Sequence, residues 1–309
     1  SMDNNLILLS NSDQCQVISV STKKVVFEFT NDLLANFIPK ISPDGQFILL
    51  LDAFNSVSSY KISSQKLAQK YKGILNTEAA INSKYNYAFW RDINVLNLMK
   101  FKNPIQISPD GTIIAIGKIE STIVLFDVIT GKQKIQLKGH ENQVLSIAFH
   151  PNGNELVSGD SGGEVIIWDI QTGAIKKRFN AHNNTVLFDL AYNSSGTELI
   201  TSGWDAMIKH WDLLTFELKG YIDLENKAAF SIQFSPNNLY IVIGDNDQTV
   251  YYYETDTKKL VRSLIGHKKT ITQSITIEDK NELVTASIDG TVRIWDFYSG
   301  ILKDKISVT

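Results

Sequence analysis

Residues 150–168 read HPNGNELVSGDSGGEVIIW and contain the elements that repeat along this chain of 309 residues. The opening turn returns, in altered form, at 42–45, 108–111, 193–196, 235–238 and 277–280. From 108 onward the steps between first positions are 42, 43, 42 and 42. Eighteen residues after each first position stands an aromatic residue, namely Tyr60, Phe126, Trp168, Trp211, Tyr253 and Trp295. This fixed period predicts a repeat protein, because one such unit cannot bury both of its faces alone.

The unit around His150 is predicted to form four short strands, a to d, joined by tight turns. The strands are expected at Val144 to Phe149, Glu155 to Ser158, Glu164 to Trp168 and Ala174 to Phe179. Glycine and asparagine in the turns supply the positive φ angles that tight hairpins require. Strand c is almost wholly apolar, which is typical of a strand packed on both faces. The pattern therefore predicts sheets that stack face to face.

Three of the repeated aromatic residues are followed by aspartate, in the pairs Trp168-Asp169, Trp211-Asp212 and Trp295-Asp296. Together with the period, these pairs make the chain similar to the WD-repeat family, whose members are β-propellers. The resemblance is strong from about 105 to 306, and weaker but in phase before that. It implies an all-β fold: a β-propeller of four-stranded antiparallel blades in a single domain spanning 1–309.

Eight repeat units are counted, and seven blades are the alternative because seven is the commoner ring in this family. The units lie near 3–32, 33–75, 76–104, 105–140, 141–182, 183–224, 225–267 and 268–309. The first unit has no residues for strand a. The third has room for only a stub of strand d, since about five extended residues reach only about 17 Å. Ser1-Met2 resembles a scar left by cleavage of an expression tag.

The resemblance also implies a structural tetrad: a His before strand a, a Ser or Thr in strand b, an Asp in the b–c turn and the Trp of strand c. The full sets are His182, Thr201, Asp205 and Trp211, and His267, Thr285, Asp289 and Trp295. A third unit keeps His140, Ser158 and Trp168 but has Gly162 in place of the aspartate. Hydrogen bonds along such a series satisfy groups that are costly to bury alone. We expect the third network to be weaker.

We predict no catalytic group, no metal site and no cofactor. The His and Asp residues recur at the same spacing in two units, which is typical of a building element rather than of one active site. The segment 159–163, Gly-Asp-Ser-Gly-Gly, matches the surroundings of the nucleophile in trypsin-like proteases, but it falls where the repeat requires the b–c turn. The five histidines and the single Cys15 have no metal-ligand spacing, and no nucleotide-binding glycine motif occurs.

Charge and composition argue against several classes of partner. The formal net charge of -3 gives no overall attraction to nucleic acid or to an anionic membrane. No run of about 18 apolar residues indicates membrane insertion. A single cysteine excludes an intrachain disulfide, so a reducing compartment, cytoplasmic or nuclear, is expected. The arginines are isolated from one another, unlike the paired arginines of phosphoinositide-binding propellers.

The remaining candidate is Trp204, which stands in a b–c turn directly before Asp205. The resemblance implies that these turns share one face with the loops before strand a, and that partners commonly dock there. The matching turn positions hold Ile119, Ser161, Asn246 and Ile288, so the repeat itself does not require tryptophan. We predict partner binding by Trp204, Phe188, Phe230, Ile288 and Asn246. For the two phenylalanines, which match each other in strand a, a core or channel-lining role is the alternative.

These observations predict a non-catalytic protein-interaction scaffold that docks protein or peptide segments, within a multiprotein complex, on the Trp204 face. Specificity in such a fold depends on a few loop residues. The alternative is a propeller enzyme or a small-molecule binder that uses the central channel. The absence of a catalytic cluster in the sequence argues against that alternative.

Overall fold

The computed structural model describes the strands of the first 71 residues, and residues 104–307 apart from 119, 278 and 279. Within the first 71 residues, side chains are described at Val17 and at 25–28. The described residues contain twenty-seven β-strands and no α-helix. The all-β prediction is therefore confirmed.

The described strands form seven antiparallel sheets, numbered here in chain order, and within each sheet the strands lie in sequence order. Sheet 1 contains β1 (Leu6–Ser10), β2 (Gln14–Ser19) and β3 (Val25–Thr30). Sheet 2 contains β4 (Ile38–Ile41), β5 (Phe47–Leu51), β6 (Val57–Lys61) and β7 (Lys66–Tyr71). Sheet 3 contains β8 (Ile105–Ile107), β9 (Ile113–Gly117), β10 (Thr122–Asp127) and β11 (Gln133–Lys138).

The last four sheets each have four strands of six or seven residues. Sheet 4 contains β12 (Val144–Phe149), β13 (Glu155–Asp160), β14 (Glu164–Asp169) and β15 (Ile175–Asn180). Sheet 5 contains β16 (Leu187–Tyr192), β17 (Glu198–Gly203), β18 (Met207–Asp212) and β19 (Leu218–Asp223). Sheet 6 contains β20 (Ala229–Phe234), β21 (Tyr240–Asp245), β22 (Thr249–Glu254) and β23 (Leu260–Ile265). Sheet 7 contains β24 (Ile271–Ile277), β25 (Glu282–Ser287), β26 (Thr291–Asp296) and β27 (Leu302–Ser307).

Sheet 1 has three strands in the described part of the chain, and these correspond to strands b, c and d of its unit. The predicted short unit at 76–104 lies, apart from Pro104, outside the described residues. The choice between eight and seven blades therefore stays a prediction.

Strand b of sheet 4 is longer than the sequence predicted, because it continues through Gly159 to Asp160. A glycine is normally unfavourable inside a strand, but here it allows close packing against the next sheet. A Cβ atom at Gly159 would lie 2.5 Å from Cδ2 of Leu187. Strand d of the same sheet is shifted by one residue and runs over Ile175–Asn180.

The chain divides into two compact units. The first comprises Ser1–Val144 with Ile170–Ala174, and the second comprises Leu145–Asp169 with Ile175–Thr309. In the first unit, a buried cluster fills one face of sheet 3 and consists of Ile105, Ile114, Ile116, Val124, Phe126 and Val128.

In the second unit the core lies between neighbouring sheets. Residues of sheets 5 and 6 share one buried cluster, which includes Ile200, Ile208, Ala229 and Ile241. Residues of sheets 6 and 7 share another, which includes Val242, Tyr252, Ile271 and Leu283. Strands b and c are therefore apolar on both faces, as predicted. Four-stranded antiparallel sheets packed in this way fit the blades of a β-propeller.

Candidate functional site

Four side chains of sheet 5 form a hydrogen-bonded series from the core to the b–c turn. The Trp211 indole N–H donates to Thr201 Oγ1 at 3.1 Å, and Thr201 Oγ1 lies 2.9 Å from His182 Nε2. His182 Nδ1 lies 2.8 Å from an oxygen of Asp205. Since an ionised carboxylate can only accept, Nδ1 carries the proton and Nε2 accepts from Thr201. Burial alone would raise the pKa of Asp205, but hydrogen bonds from His182 and Lys209, together with the positive charge of Lys209, hold it below its ordinary value.

The same series recurs in sheet 7. Trp295 donates to Thr285 Oγ1 at 2.9 Å, Thr285 Oγ1 lies 2.8 Å from His267 Nε2, and His267 Nδ1 lies 3.1 Å from Asp289. Burial lowers the pKa of His267, and Asp289 opposes that effect only in part. Burial would raise the pKa of Asp289, but hydrogen bonds from Thr291, from the Lys268 amide and from His267 outweigh it and hold this pKa far below its ordinary value.

These two networks leave their histidines without a nitrogen for acid–base chemistry. Both imidazoles are buried, and each ring uses one nitrogen for an aspartate and the other for a threonine. A general base must offer a nitrogen within reach of a substrate proton. The geometry of these two histidines therefore fits a structural role.

Sheets 4 and 6 of the second compact unit differ from this arrangement. In sheet 4, Trp168 donates to Ser158 Oγ at 2.7 Å, and Ser161 lies in the b–c turn between β13 and β14. In sheet 6, the positions 42 residues after His182 and Thr201 hold Leu224 and Ile243, which are buried in an apolar cluster. That sheet is therefore held at these positions by packing.

Trp204 lies in the b–c turn of sheet 5 with 46% of its surface exposed. Its backbone N–H donates to the carbonyl of Val186 at 2.8 Å, which ties the turn to the loop before strand a. The centroid of its ring lies 5.5 Å from that of Phe188, and Phe188 lies 4.9 Å from Phe230. We call Trp204, Phe188 and Phe230 the Trp204 cluster. Its outer member is a large apolar side chain held in place by its backbone and by a ring beneath it.

Two β-bulges position the phenylalanines of this cluster. The pairing of β16 with β17 skips Phe188, and the pairing of β20 with β21 skips Phe230. A bulge leaves one residue unpaired and redirects its side chain. Both phenylalanines are buried, Phe188 with only 2% of its surface exposed. Phe188 packs against Trp204, and Phe230 packs against Phe188, which is the core role given as their alternative. Both offer almost no surface for direct contact with a partner.

Ile288 and Asn246 occupy the b–c turns of sheets 7 and 6 and are exposed. Each repeats the backbone contact of Trp204: the Ile288 N–H donates to Thr270 and the Asn246 N–H to Ala228. The Asn246 side chain accepts a hydrogen bond from the Ala228 N–H at 3.1 Å. The matching position in sheet 3, Ile119, lies outside the described residues.

Two polar features were not anticipated from the sequence. Strands a of neighbouring sheets in the second unit are joined by side chains. Ser146 donates to Asp189 at 3.0 Å, the Ile232 N–H donates to the other oxygen of Asp189 at 3.1 Å, and Ser231 and Ser274 lie 3.0 Å apart. Each of these contacts joins residues 43 apart in the sequence. A search for polar residues that recur in strand a at the repeat period could therefore have found them.

The second feature is a buried histidine between sheets 5 and 6. Lys258 donates to His210 Nδ1 at 2.8 Å, and Nε2 lies 3.2 Å from Glu198 without forming an aligned hydrogen bond. Burial, reinforced by the positive charge of Lys258, lowers the pKa of His210 to about 4. The imidazole is therefore neutral at physiological pH.

Among the residues that the structure describes, none forms a helix of the length and apolarity needed to cross a membrane. The paired antiparallel sheets and the recurring tetrads define the class of fold, a β-propeller with repeated blades.

Three repeats of the chain match a known family of proteins. Residues 131–169, 173–212 and 258–296 match the family model of the WD domain, G-beta repeat. These three matches support a place for the chain in the WD-repeat family.

Individual relatives match over about a third of the chain. Protein tipD of Dictyostelium discoideum is 31% identical over 114 residues, which cover 37% of this chain and 18% of that protein. The U3 small nucleolar RNA-associated protein 21 homolog of Schizosaccharomyces pombe is 34% identical over 109 residues, which cover 35% of this chain and 12% of that protein. COMPASS component SWD3 of Saccharomyces cerevisiae is 28% identical over 123 residues, which cover 37% of this chain and 39% of that protein. The chain thus spans well under half the length of these relatives.

Proposed function

We propose that this chain is a non-catalytic scaffold that docks protein segments on the face of its b–c turns, with Trp204 as the anchor. The observation that carries the proposal is the half-exposed indole, fixed by its backbone hydrogen bond and by Phe188. Interfaces draw most of their energy from a few aromatic or arginine anchors in well-packed surroundings. A rigidly held aromatic side chain also loses little conformational freedom on binding.

Ile288 and Asn246 extend this docking face in the proposal. Both lie at the same end of their strands as Trp204, because all three follow strand b. Ile288 adds an exposed apolar side chain, and Lys268 and Lys269 in the preceding loop add exposed positive charge. A partner segment with an apolar residue for Trp204 and acidic residues beside it would complement this face.

A non-catalytic role is supported by the tetrads, whose histidines are engaged at both nitrogens. Catalysis or small-molecule binding in the central channel remains the alternative class. A structural role for the tetrads and a single propeller domain over 1–309 are parts of the same proposal.

The partners we propose are other proteins within a multiprotein complex in the cytoplasm or nucleus. One relative is named as a component of COMPASS and another as associated with a small nucleolar RNA. A direct contact of this chain with nucleic acid is not part of the proposal, since its formal net charge is -3.

The test is quantitative affinity purification from native extract with the wild-type chain, Trp204→Ala and Tyr221→Ala. Tyr221 is a matched control because it is an exposed aromatic residue on the outer strand of the same sheet. At least one group of co-purifying proteins should fall by about tenfold or more with Trp204→Ala, equivalent to about 1.4 kcal/mol, and be kept with Tyr221→Ala. Equal recovery with all three proteins would contradict the proposal.

A further inference from the structure

A second surface feature lies at the other end of the strands, between sheets 6 and 7. Tyr252 of β22 and Arg262 of β23 are cross-strand neighbours in sheet 6. Phe297 and Tyr298 belong to the c–d turn of sheet 7. These residues, with Tyr240 and Val261, line a small cavity that we call the c–d pocket. In each sheet the c–d turn and the b–c turn lie at opposite ends of the strands, so this pocket is separate from the Trp204 face.

The aromatic rings of the c–d pocket form one packed group. The ring of Phe297 lies 5.2 Å from that of Tyr252 and 5.4 Å from that of Tyr298, measured between centroids. Tyr252 is buried, with 2% of its surface exposed, whereas Tyr298 is 56% exposed. Val261 is also exposed. The pocket therefore has a buried aromatic floor and an exposed apolar rim.

Two polar groups at this pocket lack the partners that such groups usually have. The Tyr252 hydroxyl is buried and has no hydrogen-bond partner among the described residues. Burial raises the pKa of Tyr252, so its hydroxyl keeps its proton. A buried hydroxyl without a partner costs free energy, and each such group in a native structure requires an explanation.

Arg262 is the second of these groups. Its guanidinium donates to the Phe297 carbonyl at 3.1 Å, and its Cζ lies 5.9 Å from the centroid of the Tyr252 ring. Within the described part of the chain, no carboxylate forms an ion pair with it. Arginine has five N–H donors in a planar fork that suits a carboxylate, and only one contact is used here. The pocket is thus lined by a half-buried cation without an ion pair and by a tyrosine whose buried hydroxyl has no partner among the described residues.

The size of the pocket limits what can enter it. Its volume is about 30 Å³. Sites for drug-sized ligands are roughly ten times larger or more, at about 300 to 1,000 Å³. The space accepts the tip of one side chain, and the exposed Val261 and Tyr298 can pack on its apolar neighbours. An extended peptide meets both conditions, since it can insert one side chain and lay the next one on the rim.

We propose that the c–d pocket binds an acidic protein segment, in which the carboxylate of an Asp or Glu enters between Arg262 and the Tyr252 hydroxyl and an adjacent apolar residue packs on Tyr298. Charge complementarity selects the carboxylate, and the two unpaired donors would bind its two oxygens. This site is independent of the docking face around Trp204.

The test is selection of a phage-displayed random heptapeptide library on the immobilised full chain, followed by affinity measurements with the synthetic peptides obtained. We expect Asp or Glu next to an apolar residue in the selected peptides. Their affinity should fall by at least about tenfold with Arg262→Gln and with Tyr298→Ser, and stay within about twofold with Lys259→Gln and with Trp204→Ala. Lys259 is the matched control because it is an exposed cation three residues before Arg262.

Tyr252→Phe separates binding from folding. This substitution removes a hydroxyl that has no partner in the described structure, so the thermal midpoint should be kept or raised while the peptide affinity falls. The proposal is overturned if no peptide is enriched, or if the selected peptides bind Arg262→Gln and Tyr252→Phe as tightly as the wild type. Binding of a single-stranded oligonucleotide that depends on Arg262, with no peptide binding, would also overturn it.

Discussion

The indole ring of Trp204 lies against the buried ring of Phe188, with 5.5 Å between their centroids. The two residues share one apolar contact but differ in surroundings, since Phe188 is enclosed between sheets and Trp204 is half-exposed. Packing from below restricts the motion of the indole and leaves its outer face available. The pair therefore separates support, by Phe188, from the proposed recognition, by Trp204.

This division predicts different effects on folding. Phe188→Ala should lower the free energy of unfolding by about 3 to 5 kcal/mol, because it leaves a cavity beneath the docking face. Trp204→Ala should lower the free energy of unfolding by less than about 1 kcal/mol, because the ring is half-exposed and is not part of the buried core. Chemical denaturation of the two variants measures the difference. A larger loss with Trp204→Ala than with Phe188→Ala would show that Trp204 is a core residue.

The tetrad of sheet 7 predicts a second stability effect. His267→Ala leaves Thr285 and Asp289 without their imidazole partner and should cost about 1 to 3 kcal/mol in the free energy of unfolding. Lys268→Ala is the control, since the exposed lysine contributes only its backbone amide to Asp289 and its side chain should matter by less than about 0.5 kcal/mol. Equal stability of His267→Ala and wild type would contradict a structural role for the tetrad.

The buried histidine between sheets 5 and 6 predicts a pH dependence. In the folded chain the pKa of His210 is about 4, against an ordinary value of 6.5, so the unfolded chain binds the proton more readily between these values. The stability contributed by neutral His210 is present above pH 6.5 and is lost as the pH falls towards 4. Glu198, Lys258 and Lys219 are the charged groups that surround it.

His210→Gln removes this titration and should flatten the loss of stability between pH 6.5 and 4 relative to wild type. One titrating group changes the number of bound protons by at most one on unfolding. The slopes of the free energy of unfolding against pH should therefore differ between the two proteins by at most about 1.4 kcal/mol per pH unit. Denaturant unfolding at a series of pH values measures it. Parallel curves for the two proteins would show that His210 is not the titrating group.

The sequence predicted the blades because their signals are local and recur. Each repeat contains a turn motif, an apolar strand c and an aromatic residue at the end of that strand. Because these three features recur at the same interval, the assignment of one repeat supports that of the next. The residues of the two full tetrads could be picked out for the same reason. At those positions in sheet 6, Leu224 and Ile243 interrupt the series.

The bulges beneath Trp204 could not be predicted in the same way. In the sequence, nothing distinguishes the segment Leu187, Phe188 and Asp189 from the regular start of a strand. Only the observed pairing of β16 with β17 shows that Phe188 is left out of the register. The surroundings of His210 were also hidden, because Lys258, which binds its Nδ1, comes from the next sheet and lies 48 residues away in the sequence. Contacts between sheets depend on how the sheets pack, which a repeat period does not specify.

We expect the exposed face of Trp204 to contact a partner protein, and site-specific photo-crosslinking can detect that contact. The full chain would carry p-benzoylphenylalanine in place of Trp204 or, as the control, in place of the exposed Tyr221, and would be irradiated in native extract. We expect a covalent adduct with another polypeptide from position 204 and none from position 221. Partners that co-purify with the 204 variant but crosslink only from position 221 would contradict it.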